Sequence, residues 1–264
     1  MKSYAKRRPI GERLGKILIT ASALILLTSF NAQSQILKFT DAEKSVVQIS
    51  ILKPDGSFTA LGTGFFIRED GLIATVFHIY GDAAQAISQL RGGTIGVWRA
   101  KRDSNRYVFQ PIQLLNFDTA HDLALFKLTG KIDSSLWNTV GGIKALKLSD
   151  AIEISPNTNV IAVGYFGTDQ FPLILSGKLV GETVFTIVPS TSSPVTVPEF
   201  LASLGATPGE SGSPVMLDDG SVIGVVDSIV TATAPFSKEP FATGLNRIVK
   251  VEFLQKLMAS VPAT

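Results

Sequence analysis

Pro208-Gly209-Glu210-Ser211-Gly212-Ser213-Pro214-Val215 is followed by the turn Asp218-Asp219-Gly220 and an apolar run over 221–226. A serine with glycine close on either side, just ahead of a strand–turn–strand pattern, fits a nucleophile held on a tight loop. Glycine admits the backbone angles that turn two nearby N–H groups toward one point. Here those groups are the amides of Gly209 and Ser211, an oxyanion hole for an attacked carbonyl. Such a hole is usually the largest single contribution to acyl-transfer catalysis. Gly-x-Ser-Gly also occurs in plain turns, so the rest of the chain has to decide.

A serine hydroxyl is a poor nucleophile at neutral pH and needs a base to take its proton. Histidine is the natural base, because its unperturbed pKa lies near the working pH. A carboxylate beyond the ring then fixes the tautomer and stabilises the imidazolium. His78 ends one apolar strand pattern, and Asp122 opens another. Taken singly, His78 reads as a satisfied histidine at a strand end and Asp122 as a surface-turn carboxylate. Their order ahead of Ser211 makes a His–Asp–Ser set. An esterase of the α/β-hydrolase kind would carry its nucleophile first and is disfavoured. His121 adjoins Asp122, and strand alternation points it away, which suits a structural or surface role.

Working outward, short β-type runs separated by turn signals recur at the intervals of a sandwich or barrel. A first group covers 45–52, 58–67, 72–76, 93–100, 107–117 and 123–128, and 132–147 reads as a connector. A second group covers 159–164, 171–179, 182–188, 200–204, 214–217, 221–228 and 241–245. Ile248, Val251, Leu254 and Met258 then recur three and four residues apart, the mark of an amphipathic helix. The expectation is an all-β chain in two strand-rich halves, closed by a C-terminal α-helix over about 247–259.

Four blocks carry a family resemblance. Gly62-Thr63-Gly64-Phe65-Phe66-Ile67, Asp70-Gly71 and Ile73-Ala74-Thr75-Val76-Phe77-His78 form the first. His121-Asp122-Leu123-Ala124-Leu125-Phe126-Lys127-Leu128 forms the second. Val160-Ile161-Ala162-Val163-Gly164-Tyr165 with Ser176-Gly177-Lys178-Leu179-Val180 forms the third, and 207–215 with 220–226 the fourth. Over roughly 45–258 the chain resembles a trypsin-like, chymotrypsin-fold serine peptidase of the bacterial type. It is similar to the protease domain of HtrA proteins and to glutamyl endopeptidases. The resemblance implies two antiparallel six-stranded β-barrels, at about 42–130 and 150–246. His78 and Asp122 would come from the first and Ser211 from the second. It implies a serine endopeptidase that cleaves polypeptides through an acyl-enzyme, with no cofactor or metal. The chain stops at Thr264, so no PDZ-like domain is expected after the helix.

Departures from the family pattern are specific. Phe77 replaces the small residue that usually precedes the histidine, and Ser213 replaces a glycine. Asp227 falls where a small polar residue often supports the buried aspartate, and a second carboxylate there would raise one pKa of the pair. Ile229 lies on the strand that offers main-chain bonds to substrate and would narrow the primary pocket. Thr207, Asp227, Ser228 and Ile229 are therefore the substrate-binding candidates. The pocket floor, near 203–207, carries no charge, which disfavours basic residues and suits small or medium apolar ones. The rival reading is a catalytically silent chymotrypsin-fold binding protein, its cleft closed by Phe77 or Ile229.

Composition sets further bounds. The chain has no cysteine, so disulfides and thiolate metal sites are excluded, and its two histidines exclude a three-histidine zinc site. Residues 1–34 begin with six basic residues and one acidic, continue with an uncharged run over 17–30, and end in Asn31-Ala32-Gln33-Ser34. That order is a secretory signal peptide, implying a secreted or periplasmic protein over 35–264. Left uncleaved, the same segment would tether it to the membrane. Without this leader the net charge of +2 becomes −3, which leaves no electrostatic case for nucleic-acid binding. The sequence does not indicate an oligomeric state.

Overall fold

Turn residues cut the first half of the chain into six strands: β1 (Val46–Leu52), β2 (Phe58–Arg68), β3 (Leu72–Val76), β4 (Thr94–Ala100), β5 (Tyr107–Asp118) and β6 (Leu123–Leu128). The computed structural model describes residues 42–89, 92–102, 104–151, 153–187, 195–233 and 239–262; the leader expected over 1–34 lies outside them. The second half supplies β7 (Asn159–Gly164), β8 (Leu173–Ile187), β9 (Val195–Ala202), β10 (Pro214–Met216), β11 (Val222–Thr233) and β12 (Pro240–Lys250).

Each set closes into an antiparallel barrel, in the order β1-β2-β3-β6-β5-β4 and β10-β11-β12-β9-β8-β7. Closure leaves no edge strand open to pair with another chain. β3 is buried along its whole length, apolar at every position but Thr75. The second barrel is filled by Val160, Leu179, Phe200, Val215, Ile223 and Ile248, among others. At full burial, aliphatic and aromatic side chains of this size each contribute about 1.5–3 kcal/mol.

Three α-helices and a 3-10 turn (Glu43–Ser45) complete the fold among the described residues: α1 (His78–Gln89), α2 (Ser134–Asn138) and α3 (Val251–Ala259). The first two were not legible in the sequence. α1 starts at His78 itself, and α2 lies inside the stretch expected to be a connector. The Asp133 side chain caps α2 by accepting from the Ser135 and Leu136 amides. The C-terminal helix starts at Val251, later than expected, because residues through Lys250 pair in β12. Arg247 and Ile248 belong to that strand and face Leu201 and Phe200 of β9. Ile248 fitted the helical period only by coincidence. α3 buries Val251, Phe253, Leu254 and Leu257.

Candidate active site

The antiparallel register of β3 with β6 ends at the pair Val76 and Leu123. Beyond it the Phe77 amide donates to the Asp122 carbonyl at 2.9 Å. The His78 amide then donates to Asp122 Oδ1 at 2.8 Å. The same carboxylate receives the ring, with Nδ1 at 2.6 Å from Oδ2. A carboxylate accepts, so Nδ1 carries the hydrogen and Nε2 keeps its lone pair. Asp122 adopts φ 50°, in the left-handed region that aspartate enters more readily than most non-glycine residues because its short side chain can hydrogen-bond locally. Burial opposes charge on His78, but the hydrogen bond and charge of Asp122 outweigh it and raise the ring's pKa above its ordinary value. With 42 % of its side chain exposed, His78 remains open to a substrate.

Ser211 sits on the loop between β9 and β10, and Thr63 of β2 clamps that loop from the other barrel. Its amide donates to the Ser211 carbonyl at 2.9 Å. Its hydroxyl donates to the Gly209 carbonyl at 2.9 Å and accepts from the Tyr165 amide at 2.9 Å. Its carbonyl accepts from Thr75 Oγ1 at 2.7 Å. Gly212 has φ 87°, and a Cβ there would lie 2.0 Å from the Thr63 carbonyl oxygen. Gly209 has φ 101°, and its Cβ would lie 2.5 Å from the Gly167 nitrogen. Only glycine fits either position.

The loop's amides divide sharply. Those of Thr207, Glu210, Gly212 and Ser213 donate within the protein, to Glu210 Oε2, Thr207 O, Val226 O and Glu210 O. The amides of Gly209 and Ser211 donate to no protein group among the described residues. Glu210 is buried, and its Oε2 accepts from the Thr207 amide at 2.6 Å and hydroxyl at 3.0 Å. Burial raises its pKa above the usual carboxylate range, against the pull of those bonds. Neither Thr63 nor Glu210 stands out in the sequence as functional; a threonine between two glycines and an acid beside the serine are the only local signals of their roles.

A cleft of about 250 Å³ runs between the barrels. His78, Ser211, Thr207, Asp227, Ser228 and Ile229 all line it, so five of the sequence-designated side chains share one hollow with the candidate nucleophile. Asp122 stands behind His78. Ser211 Oγ and the His78 ring are not hydrogen-bonded to each other among the described residues, a bond that often tightens only with substrate in place. Asn246, fully buried at the cleft wall, spends its amide on the Ala206 backbone at 3.0 and 3.2 Å. Phe77 does not enter the cleft; it stacks on Phe117 at 4.5 Å between centroids and on Tyr80 at 6.0 Å. His121 also points away, bonded to Asp118 at 2.6 Å and stacked on Phe253 at 3.7 Å. A larger hollow of about 330 Å³, lined by Gln48, Phe58, Trp98 and Tyr107 among others, holds no member of the His–Asp–Ser set.

Asp227 is buried beneath the cleft. Burial pushes its pKa up to about 7; Arg247, 3.3 Å away, opposes the rise, while Asp122 adds to it. Polar atoms of His78, Asp122 and Asp227 lie within 4.8 Å of one another. Within this acid–base cluster Nδ1 of His78 is bonded to Asp122, and Asp227 faces Arg247.

Two closed six-stranded barrels with histidine, aspartate and serine converging between them define a chymotrypsin-like serine hydrolase fold. The chain belongs to the trypsin-like peptidase domain family, whose model matches residues 62–225. It is 28 % identical over 195 residues to a probable periplasmic serine endoprotease, DegP-like, of Pseudomonas putida, covering 73 % of this chain and 34 % of that one. It is 23 % identical over 248 residues to the magnetosome formation protease MamE of Magnetospirillum gryphiswaldense, covering 90 % of this chain and 28 % of the other. The chain thus spans about a third or less of the length of these relatives. Among solved structures it shares its fold with the active form of the Rv3671c protease of M. tuberculosis, at a TM-score of 0.60 and 19 % identity, covering 86 % and 85 % of the two chains. The apo MamO protease domain of Magnetospirillum magneticum matches at 0.60 and 16 %, covering 83 % and 97 %.

Proposed function

We propose that this chain is an exported serine endopeptidase that cuts polypeptides through an acyl-enzyme. One observation carries the reading: His78, backed by Asp122, and Ser211 reach a single cleft from different barrels, beside two amides of the serine loop with no protein acceptor among the described residues. Ser211 Oγ attacks the carbonyl carbon while its proton passes to His78 Nε2. The carbonyl electrons collect on the oxygen, which the Gly209 and Ser211 amides bind. His78 then returns the proton to the leaving amine as the C–N bond breaks. Water repeats the sequence on the ester, and Ser211 regains its proton. Asp122 holds the ring and offsets the imidazolium charge in both halves.

Thr207, Asp227, Ser228 and Ile229 form the walls of the residue pocket. With Ala206 and Ile229 at its wall and the Asn246 amide already engaged, the pocket suits a small or medium apolar residue before the cut. The leader and the periplasmic naming of the DegP-like relatives support export; among the described residues no helix is long and apolar enough to cross a membrane. The silent-binding alternative depended on a cleft closed by Phe77 or Ile229; Phe77 lies outside the cleft, and Ile229 lines a cleft of about 250 Å³.

The test is fluorophosphonate labelling of the folded chain, with Ser211→Ala and His78→Ala as controls. Labelling should vanish in the first variant and slow by at least about 10³-fold in the second. An unlabelled wild-type chain, or label retained in Ser211→Ala, would overturn the proposal.

A further inference from the structure

Asp227 stands at a bulge in β11. Val226 pairs with Ile248 and Ser228 with Arg247, which leaves Asp227 without a partner of its own. Bulges of this kind re-aim a side chain, and here the carboxyl turns inward, 5 % exposed. Charged and titratable groups meet it from several elements: Asp122 ahead of β6, His78 at the start of α1, Arg247 on β12 and Glu199 on β9. Ser228 Oγ donates to it at 3.0 Å.

These charges do not balance if every acid is ionised. Arg247 gives Nε and Nη2 to Glu199 at 2.7 and 2.6 Å, and only a 3.3 Å contact remains for Asp227. Asp122 and Asp227 approach to within 4.8 Å in poorly solvated surroundings. Two carboxylates so placed favour keeping one proton between them.

We propose that Asp227 is a positioning residue for His78, carrying one exchangeable proton that it donates to Asp122 and whose loss tightens the grip of the acid pair on the imidazolium. This rests on the triad reading above. While Asp227 is neutral, its O–H draws on the lone pairs that Asp122 turns toward His78. The imidazolium is then less stabilised, and Nε2 stays free to lower pH. Once the proton leaves, a second negative charge faces the ring and His78 holds its own proton more tightly, the direction in which the Asp227 charge acts on it. Burial places the exchange near neutrality. The proton thus keeps the base available in mildly acidic surroundings.

The experiment uses the Ser211→Ala chain, so that activity is not required. Its aspartate carboxyls are labelled with carbon-13, and these and the His78 ring are titrated by NMR. One carboxyl should titrate near neutrality and disappear in Asp227→Asn, while the His78 midpoint in that variant falls by about 0.5–1 unit. Asp227→Ser, which keeps a smaller donor, gives the same readout if the asparagine variant fails to fold. In the chain with Ser211 intact, fluorophosphonate inactivation against pH should depart from a single-proton curve and return to one in Asp227→Asn. An unmoved His78 midpoint, or an Asp227 carboxyl titrating in the ordinary range, would overturn the proposal. Failure of the triad reading looks different: no inactivation at any pH, with the NMR titrations unchanged.

Discussion

Replacing Arg247 by methionine isolates the electrostatics beneath the cleft. Arg247 holds Glu199, 1 % exposed, with two charge-assisted hydrogen bonds and reaches Asp227 at 3.3 Å. Its guanidinium lies 4.0 Å from the Phe185 ring centre, and methionine keeps much of that packing volume. Removing one partner of a buried pair costs about 3–5 kcal/mol, because the other charge stays uncompensated. Set against a typical domain stability of about 5–15 kcal/mol, that is a large fraction. Asp227 fixes the sign of the pH dependence. Its pKa, about 7 when folded, exceeds its unfolded value, so the folded state favours the proton and Asp227's contribution to stability falls as pH rises from about 4 to 7. Without Arg247 this window extends upward. The variant should therefore lose more stability near pH 8 than near pH 5.5, as read from urea unfolding by linear extrapolation. A companion Glu199→Leu change in the methionine background should restore about half of the loss or more, since an apolar pair can replace a buried ionic one. A loss below about 1 kcal/mol near pH 8, or one equal at both pH values, would refute this account of the cluster.

Two further substitutions separate the nucleophile loop from the scaffold. Gly212→Ala forces a side chain onto φ 87° and against the Thr63 carbonyl; labelling should slow by about 10²-fold or more, and a rate near wild type would show that the Thr63 clamp is dispensable. His121→Ala removes the Asp118 bond and the Phe253 stack. It should lower stability by about 1–2 kcal/mol with labelling within about twofold; a collapse of labelling would place His121 in the chemistry.

The parts of this molecule legible in its sequence are those governed by local rules. The short apolar runs over 72–76 and 123–128 marked β3 and β6, and the turn residues around them set their limits. The glycines flanking Ser211 announced a loop whose backbone no other residue could adopt, which Gly212 bears out through its φ and its contact with Thr63. Errors arose where a local pattern met a tertiary partner. Ile248 satisfied a helical period, yet β9 and β11 captured it as strand. Phe77, suspected of blocking the cleft, found Phe117 and Tyr80 to stack on instead.

By itself, the sequence determined the all-β character and the order His78, Asp122, Ser211, because hydrophobic period, turn chemistry and residue type are properties of short stretches. Tertiary structure alone decided that Thr63 clamps the Ser211 loop and that Asp227, expected near Asp122, stands at a bulge of β11. It also decided that Arg247 is shared between Glu199 and Asp227. These arrangements depend on strand register and barrel closure between residues tens to more than a hundred positions apart. No local pattern encodes that register, because it is set by the packing of both barrels at once.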